Sequence, residues 1–330
     1  MTAASAPAAP TARARIDELE AAFRAGARGA LERELVEARR AAVDEVRDLP
    51  RRPIAEDGTA PAVGPSGLPE ATPDELDGPT VRAAFASHGC LVVRGLVPRA
   101  TAEELVAGID RAIAAWGDLK RPFAGPTGDP WFDPQTVDEP ERSALGRTWV
   151  TNGAGLLTFD SPRMLATILD RYERLGLRTL LTELLGARPV LSANKGTLRR
   201  VPVETSAGWH QDGAFLGQQL GAVNVWATLT DCGVDAPGLD IVPRRFDEIV
   251  ETGTRGSYFD WAVGEGVIEE LAVDTPVLRP QLHAGDAVIF DEMLLHRTAT
   301  DPSMTSSRYA IEMWTFAGSA YPEGHVALLW

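Results

Sequence analysis

Gly208-Trp209-His210-Gln211-Asp212-Gly213 places a histidine and an aspartate two positions apart. On an extended strand, residues i and i+2 point to the same face, so these two side chains can grip one ion. A third ligand from far along the chain would complete a set of two imidazoles and one carboxylate. That facial set leaves several coordination positions open and suits non-haem Fe(II) oxygen chemistry. The candidate is His296, which ends the run Asp286-Ala287-Val288-Ile289-Phe290-Asp291-Glu292-Met293-Leu294-Leu295-His296, where a buried strand is expected to run out into a polar segment.

The sequence around these residues reads as a series of short strands. Apolar and β-branched runs bounded by turn residues occupy 190–192, 197–203, 223–229, 239–242, 277–282, 287–290 and 309–316. Such a series predicts a jelly roll or similar barrel carrying the site, with helices contributed mainly by the N-terminal half, and hence an α+β fold.

Further out, residues 1–12 are rich in Ala, Pro, Ser and Thr and read as a disordered tail. From Arg13 to Leu49 no proline occurs, and Ile16, Leu19, Phe23, Ala27, Leu31, Leu35, Ala38, Ala42 and Val46 recur at steps of three or four. This periodicity predicts one long helix whose apolar stripe packs on its own domain or, in a homo-oligomer, on a second copy of the chain. Residues 50–79 contain seven prolines and predict a loop or linker. The expected organisation is thus 1–80 as tail, helix and linker, with 81–330 as the barrel domain.

Thr72-Pro73-Asp74-Glu75 carries a helix-capping signature, and Gly78-Pro79 offers a competing start. Cys90-Leu91-Val92-Val93-Arg94 predicts a strand, and Thr101 with Glu104 caps the helix after it. Residues 118–160 mix Gly, Pro and Asp with scattered aromatics, the character of a long ordered loop that covers a site. Helical patterns between 165 and 185 stop at Gly186 and Pro189.

Composition excludes several classes. A chain of 330 residues with 44% hydrophobic content can bury one large core. Cys90 and Cys232 are too few for a disulfide framework or a cysteine-rich zinc site, which fits a reducing cytoplasm. No run of about 18 apolar residues occurs, so membrane insertion is not expected. A formal net charge of −15 repels polyanions and argues against nucleic acid as partner. The expected partner is a small-molecule substrate.

The remaining histidines carry weaker claims. His88 and His325 have no ligand residue paired with them in sequence and read as surface or capping residues. His283 precedes the turn Ala284-Gly285-Asp286 and is the reserve for the third ligand. Arg308 opens another strand shortly after His296.

At these residues the sequence resembles the phytanoyl-CoA dioxygenase family of Fe(II)- and 2-oxoglutarate-dependent oxygenases. The resemblance runs over roughly 85–316. It rests on the Gly89-Cys90-Leu91-Val92-Val93-Arg94-Gly95 strand and its capped helix, the His210-x-Asp212 core, Trp226, Gly285-Asp286-Ala287-Val288-Ile289-Phe290 ahead of His296, and Arg308. It implies a double-stranded β-helix, with His210, Asp212 and His296 as metal ligands. It also implies Arg308 against the distal carboxylate of 2-oxoglutarate, Trp226 lining that pocket, and Fe(II), 2-oxoglutarate and O2 as cofactor and cosubstrates. A planar guanidinium suits the carboxylate because it offers two parallel hydrogen bonds; Lys195 and Arg297 are the reserves for that role. Pro243-Arg244-Arg245-Phe246 departs from the Pro-Gly-Ser-His of many relatives, so the substrate-side rim is expected to differ.

For substrate contacts, Trp149, Asn152, Asn194, Trp209 and Arg244 are the candidates, chosen from expected strand ends and the covering loop. Two other classes could use the same residues: a zinc hydrolase-like enzyme, disfavoured by the lack of an H-E-x-x-H helix, and an inactive cupin-like binding protein, which would not need all three ligands.

Overall fold

The structure, a computed structural model, describes residues 11–54, 58–119, 125–205, 207–257 and 259–330. The tail expected at 1–12 lies almost wholly outside the described residues. Thr11 accepts a hydrogen bond from the Ala14 N–H at 3.2 Å and so caps α1 (Ala12–Arg24). Where the periodicity predicts one long helix there are two: α2 (Ala30–Ala41) folds back on α1. The break sits at Gly26 and Gly29, with φ of +100° and +85°, values that glycine adopts without a Cβ penalty. The stripe is covered by the chain itself. Ile16, Ala42 and Val43 pack on Val190 and Leu329, and Arg39 donates to the Leu329 carbonyl at 2.8 Å.

The proline-rich segment contains β1 (Glu70–Ala71), paired parallel to β2 (Cys90–Val93). Both competing helix starts are used. Thr72 and Glu75 form a capping box around a single 3-10 turn, and Asp77 then caps α3 (Gly78–His88) by accepting from the Thr80 N–H at 2.8 Å. α4 (Arg99–Leu119) follows β2. The covering segment then holds α5 (Glu141–Ala144), α6 (Arg147–Asn152) and β3 (Gly155–Leu157), more regular than a loop. Arg147 fixes it by donating to both carboxylate oxygens of Asp160, at 2.6 and 2.7 Å. α7 (Pro162–Arg174) and α8 (Leu177–Leu185) complete the helical layer.

The barrel follows with β4 (Pro189–Ser192), β5 (Thr197–Val201), α9 (Gly213–Leu216), β6 (Val223–Thr228), β7 (Gly238–Ile241), α10 (Glu265–Asp274), β8 (Ala287–Phe290), β9 (His296–Ala299), β10 (Arg308–Ala317) and β11 (Ala327–Leu329). Among the described residues, nine strands form one sheet with the path β1-β2-β8-β6-β10-β4-β11, and β5 joins β10 to β3. β7 and β9 form a small second sheet. The outer face of the large sheet (Leu91, Val225, Ile289, Ile311, Met313) packs on α3, α4, α7 and α8. Its inner face (Trp226, Val288, Phe290, Ala310, Trp314) packs on Leu239, Ile241, Leu282 and Leu294 from the side of the small sheet. Two sheets closed over one apolar interior make a double-stranded β-helix.

Two strand expectations are corrected. Residues 277–282 form isolated bridges instead of a strand, Leu278 to Ile241 of the small sheet and Leu282 to Cys232 outside it, because Pro276 and Pro280 cannot donate to a ladder. His296 starts a strand instead of following one: β8 stops at Phe290, and the chain turns before β9. Among the described residues, no helix is long and apolar enough to cross a membrane.

Candidate metal centre

His210 and His296 face each other across a two-way antiparallel bridge, each backbone N–H donating to the other's carbonyl at 3.0 Å. Asp212 lies past the end of that extended segment. Its backbone is helical (φ −61°, ψ −25°), and it serves as the N-cap residue of α9. The two-residue spacing therefore works through a corner where strand becomes turn, not through strand alternation alone. One ligand atom from each of His210, Asp212 and His296 lies within 4.8 Å of the others, and Asp212 Oδ2 is 3.7 Å from His296 Nε2.

The imidazoles are oriented by the main chain. His210 Nδ1 is 2.8 Å from the Gly208 carbonyl, and His296 Nδ1 is 3.0 Å from that of Leu294. A carbonyl oxygen only accepts, so each Nδ1 carries the hydrogen and each Nε2 keeps its lone pair, as a metal ligand requires. Burial, and then neighbouring His296, push His210 down to about 4, which keeps the ring neutral at neutral pH.

The middle residue of the motif holds the corner in place. Gln211 is fully buried; its Nε2 donates to the Met293 carbonyl at 2.8 Å, and its Oε1 accepts from the Val250 N–H at 2.7 Å. The Gly213 N–H donates to the Glu292 carbonyl at 2.8 Å, and a Cβ at 213 would lie 3.1 Å from that oxygen. The Glu292 carboxylate in turn accepts from the Gly221 and Ala222 N–H groups at 3.0 and 2.9 Å.

Arg308 opens β10 on the inner face of the barrel and is 1% exposed. Its Nη1 donates to the Pro237 and Gly238 carbonyls at 3.2 and 2.9 Å, its guanidinium lies 5.0 Å from the Trp226 ring centroid, and its Nε has no partner. Among the described residues no carboxylate pairs with it. Burial lowers it to about 10, still protonated at neutral pH. A buried cation without a counter-charge is costly, and a carboxylate would relieve that cost. The wall between Arg308 and the triad is continuous: Trp226 is opposite Val288, Phe290 follows on the same face of β8, and the Phe290 and His296 rings are 4.9 Å apart.

Residues 85–308 match the phytanoyl-CoA dioxygenase family. The chain belongs to that family. Among solved structures, EctD from S. alaskensis with 2-oxoglutarate and 5-hydroxyectoine aligns with a TM-score of 0.51 at 17% identity, over 84% of this chain and 88% of that one. AviO1 from Streptomyces viridochromogenes Tue57 gives a TM-score of 0.46 at 20% identity, over 75% of this chain and 98% of that one. No curated protein sequence matches the chain significantly. The family match places the chain among oxygenases of the Fe/2-oxoglutarate type, and the His-Asp-His donor set, with both Nε2 atoms free, fits iron.

In this family member the other sequence candidates scatter. Trp149 stands at the mouth of the site, with its ring 5.0 Å from Lys195 Nζ. Asn152 is exposed at the end of α6. Asn194 is buried and ties down the C-terminal strand, its Oδ1 accepting from the Val326 N–H at 2.8 Å. Trp209 points away from the triad into a cluster with Val242, Phe246 and Val263, beneath the Arg297 guanidinium at 4.7 Å. Arg244 is exposed over Phe246. His283 is exposed, 3.7 Å from Asp231, and is not grouped with the triad. Arg297 is held by Asp240 and Glu265 at 2.9 and 2.6 Å. Sequence reasoning missed Arg199, Phe215, Phe259 and Trp261, which border the site. For Arg199 the signal was Asn152-Gly153-Ala154-Gly155, a pair of glycines beside a strand that marks a close approach, and the three aromatics had none.

Proposed function

We propose that this chain is an Fe(II)- and 2-oxoglutarate-dependent dioxygenase that hydroxylates a small molecule. The observation that carries the reading is a metal-type donor triad and a buried, acid-free Arg308 on one inner barrel wall. His210 and His296 would hold Fe(II) through Nε2, with Asp212 as the anionic ligand. Arg308 would bind the far carboxylate of 2-oxoglutarate through the edge of its guanidinium not committed to Pro237 and Gly238, and Trp226 would form the floor beneath it. Bound Fe(II) would supply the redox chemistry that couples decarboxylation of 2-oxoglutarate to succinate with transfer of one oxygen atom from O2 to a substrate C–H bond. Trp226, Phe290 and Trp314 keep bulk water from this wall, and Gln211 holds the corner that sets Asp212 against the two rings.

The test is succinate release from 2-oxoglutarate by the full-length protein, with and without Fe(II), across a panel of candidate metabolites. The expected result is Fe(II)-dependent succinate that rises with a true substrate. A zinc-supported hydrolysis without 2-oxoglutarate consumption would replace this reading.

A further inference from the structure

Trp149, Phe259 and Trp261 are 42%, 54% and 38% exposed, the large aromatic side chains left open among the described residues. Exposed aromatics cost hydrophobic free energy, so three around one mouth call for an occupant. Phe259 and Trp261 are linked to His210 ring by ring, and Trp149 reaches the same place through Lys195. Phe259 stacks on Trp261 at 5.1 Å, Trp261 meets both Phe215 and His210 edge-on at 5.8 Å, and Phe215 stacks 6.1 Å from His210.

The charges at this mouth do not balance. Lys195 Nζ lies 3.8 Å from the Phe215 centroid, between that ring and Trp149, with no hydrogen bond or ion pair among the described residues. Arg199 is 8% exposed, and its Nε has no partner. It reaches toward Trp149, 5.8 Å away, across Gly155 and Gly153, where a Cβ would come within 2.9 Å of Cδ and 3.0 Å of Nη2. Of the nearby carboxylates, Glu312 accepts from Thr197 Oγ1 at 3.0 Å and keeps its charge, and Asp212 belongs to the triad. Fe(II) and Arg308 would together be balanced by Asp212 and dianionic 2-oxoglutarate. Lys195 and Arg199 then face the single negative charge of Glu312, leaving one surplus positive charge that binding an anion would neutralise.

We propose that the substrate is an anionic small molecule with an apolar or aromatic body. Its carboxylate-like group is held by Lys195 and Arg199, and its body lies on Phe215, Trp261 and Phe259, which brings its carbons alongside His210. This rests on the oxygenase reading above.

The probes are 3-phenylpropionate and its neutral isostere 3-phenylpropionamide, titrated calorimetrically into the full-length protein loaded with Fe(II) and 2-oxoglutarate under anaerobic conditions. The acid is expected to bind at least tenfold more tightly than the amide. Lys195→Gln should bring that ratio below about threefold, as should Arg199→Gln where it folds by circular dichroism, while Trp261→Ala weakens acid and amide by the same factor. Equal binding of the two probes, binding of neither, or a ratio that persists in Lys195→Gln overturns the proposal. Loss of 2-oxoglutarate binding in Lys195→Gln with an unchanged probe ratio would assign Lys195 to the cosubstrate, overturning the inference and leaving the oxygenase reading intact. Failure of the Fe(II)-loaded wild type to bind 2-oxoglutarate would instead sink the oxygenase reading, and this proposal with it.

Discussion

His210 and His296 exchange both of their backbone hydrogen bonds, at 3.0 Å in each direction, although 2-residue spacing links His210 to Asp212 and a separate strand supplies His296. Main chain alone thus sets the two imidazoles against each other. Each ring is then turned by a carbonyl two residues earlier in sequence. Neither side chain is needed to hold the other's backbone.

His210→Ala, Asp212→Ala and His296→Ala should therefore keep their far-UV dichroism and lose metal binding. The loss should exceed the roughly 10–100-fold that removing an outer-shell partner costs. Fe(II) or Co(II) titration measures it. His283→Ala is the control and should bind metal as the wild type does, because His283 is exposed, lies 3.7 Å from Asp231 and is not grouped with the triad. Normal metal affinity in any triad variant would remove that residue from the set.

The helical hairpin answers differently from a detachable appendage. Ile16, Leu19, Phe23, Leu35, Val36 and Val43 are buried by it, Leu19, Phe23 and Leu35 against Ala166 of α7 and Ile16 and Val43 against Val190 and Leu329 of the barrel. At about 1.5–3 kcal/mol for each large apolar side chain, their removal rivals the whole 5–15 kcal/mol stability of an ordinary domain. Deleting residues 1–49 should give insoluble or molten protein. Phe23→Ala alone should lower stability by about 3–5 kcal/mol, read from urea unfolding. A truncated protein with wild-type melting and solubility would refute this.

The barrel and the grouping of His210, Asp212 and His296 were legible in the sequence because they depend on local signals: short β-branched runs, the His210-x-Asp212 spacing, and a histidine beyond a buried run. It concealed what depends on meetings at a distance. Gly26 and Gly29 interrupt a run whose apolar spacing alone reads as one helix. Lys195 and Phe215 stand on separate segments and meet only once β5, α9 and the turn before β5 are assembled. Alternation predicts Asp212 on a strand, yet it sits at a helix cap, since the backbone of α9 begins there. Trp209, beside His210 in sequence, faces away because neighbouring side chains on an extended segment oppose each other.

Arg94 links three strands and yields a pH prediction. It donates to Glu70 at 2.6 and 2.9 Å and to Asp286 at 2.7 Å, joining β1 and β2 to the turn ahead of β8. Burial alone would raise Glu70, but hydrogen bonds from Arg94 and Ser66 outweigh it and hold the carboxyl at about 2 against an ordinary 4.5. A depressed carboxyl stabilises the fold above its unfolded value and loses that contribution as pH falls from there through its folded value. Stability should therefore decline between about pH 4.5 and 2. Glu70→Gln should cost about 1–3 kcal/mol at pH 7 and flatten that acid limb, measured as melting temperature against pH. Superimposable profiles for variant and wild type would show that the Arg94 contact contributes nothing.

Arg308 separates a 2-oxoglutarate enzyme from any other user of the same triad. Its Nε is buried without a partner and its Nη1 is committed to two carbonyls, so the free edge of the guanidinium is what a carboxylate would meet. Losing that contact should cost about 1.5–3 kcal/mol, or roughly one to two decades in affinity for 2-oxoglutarate. Arg308→Ala should raise the cosubstrate requirement by that factor while Fe(II) binding without cosubstrate stays within about twofold, because the triad is held by Gln211 and the main chain, not by Arg308. Arg308→Lys should fall between, since one charge survives without the planar fork. The measurement is a 2-oxoglutarate titration at saturating Fe(II) with succinate as readout, after circular dichroism shows that each variant is folded. Identical curves for wild type and Arg308→Ala would mean that Lys195 or another cation holds the carboxylate, or that 2-oxoglutarate is not the cosubstrate.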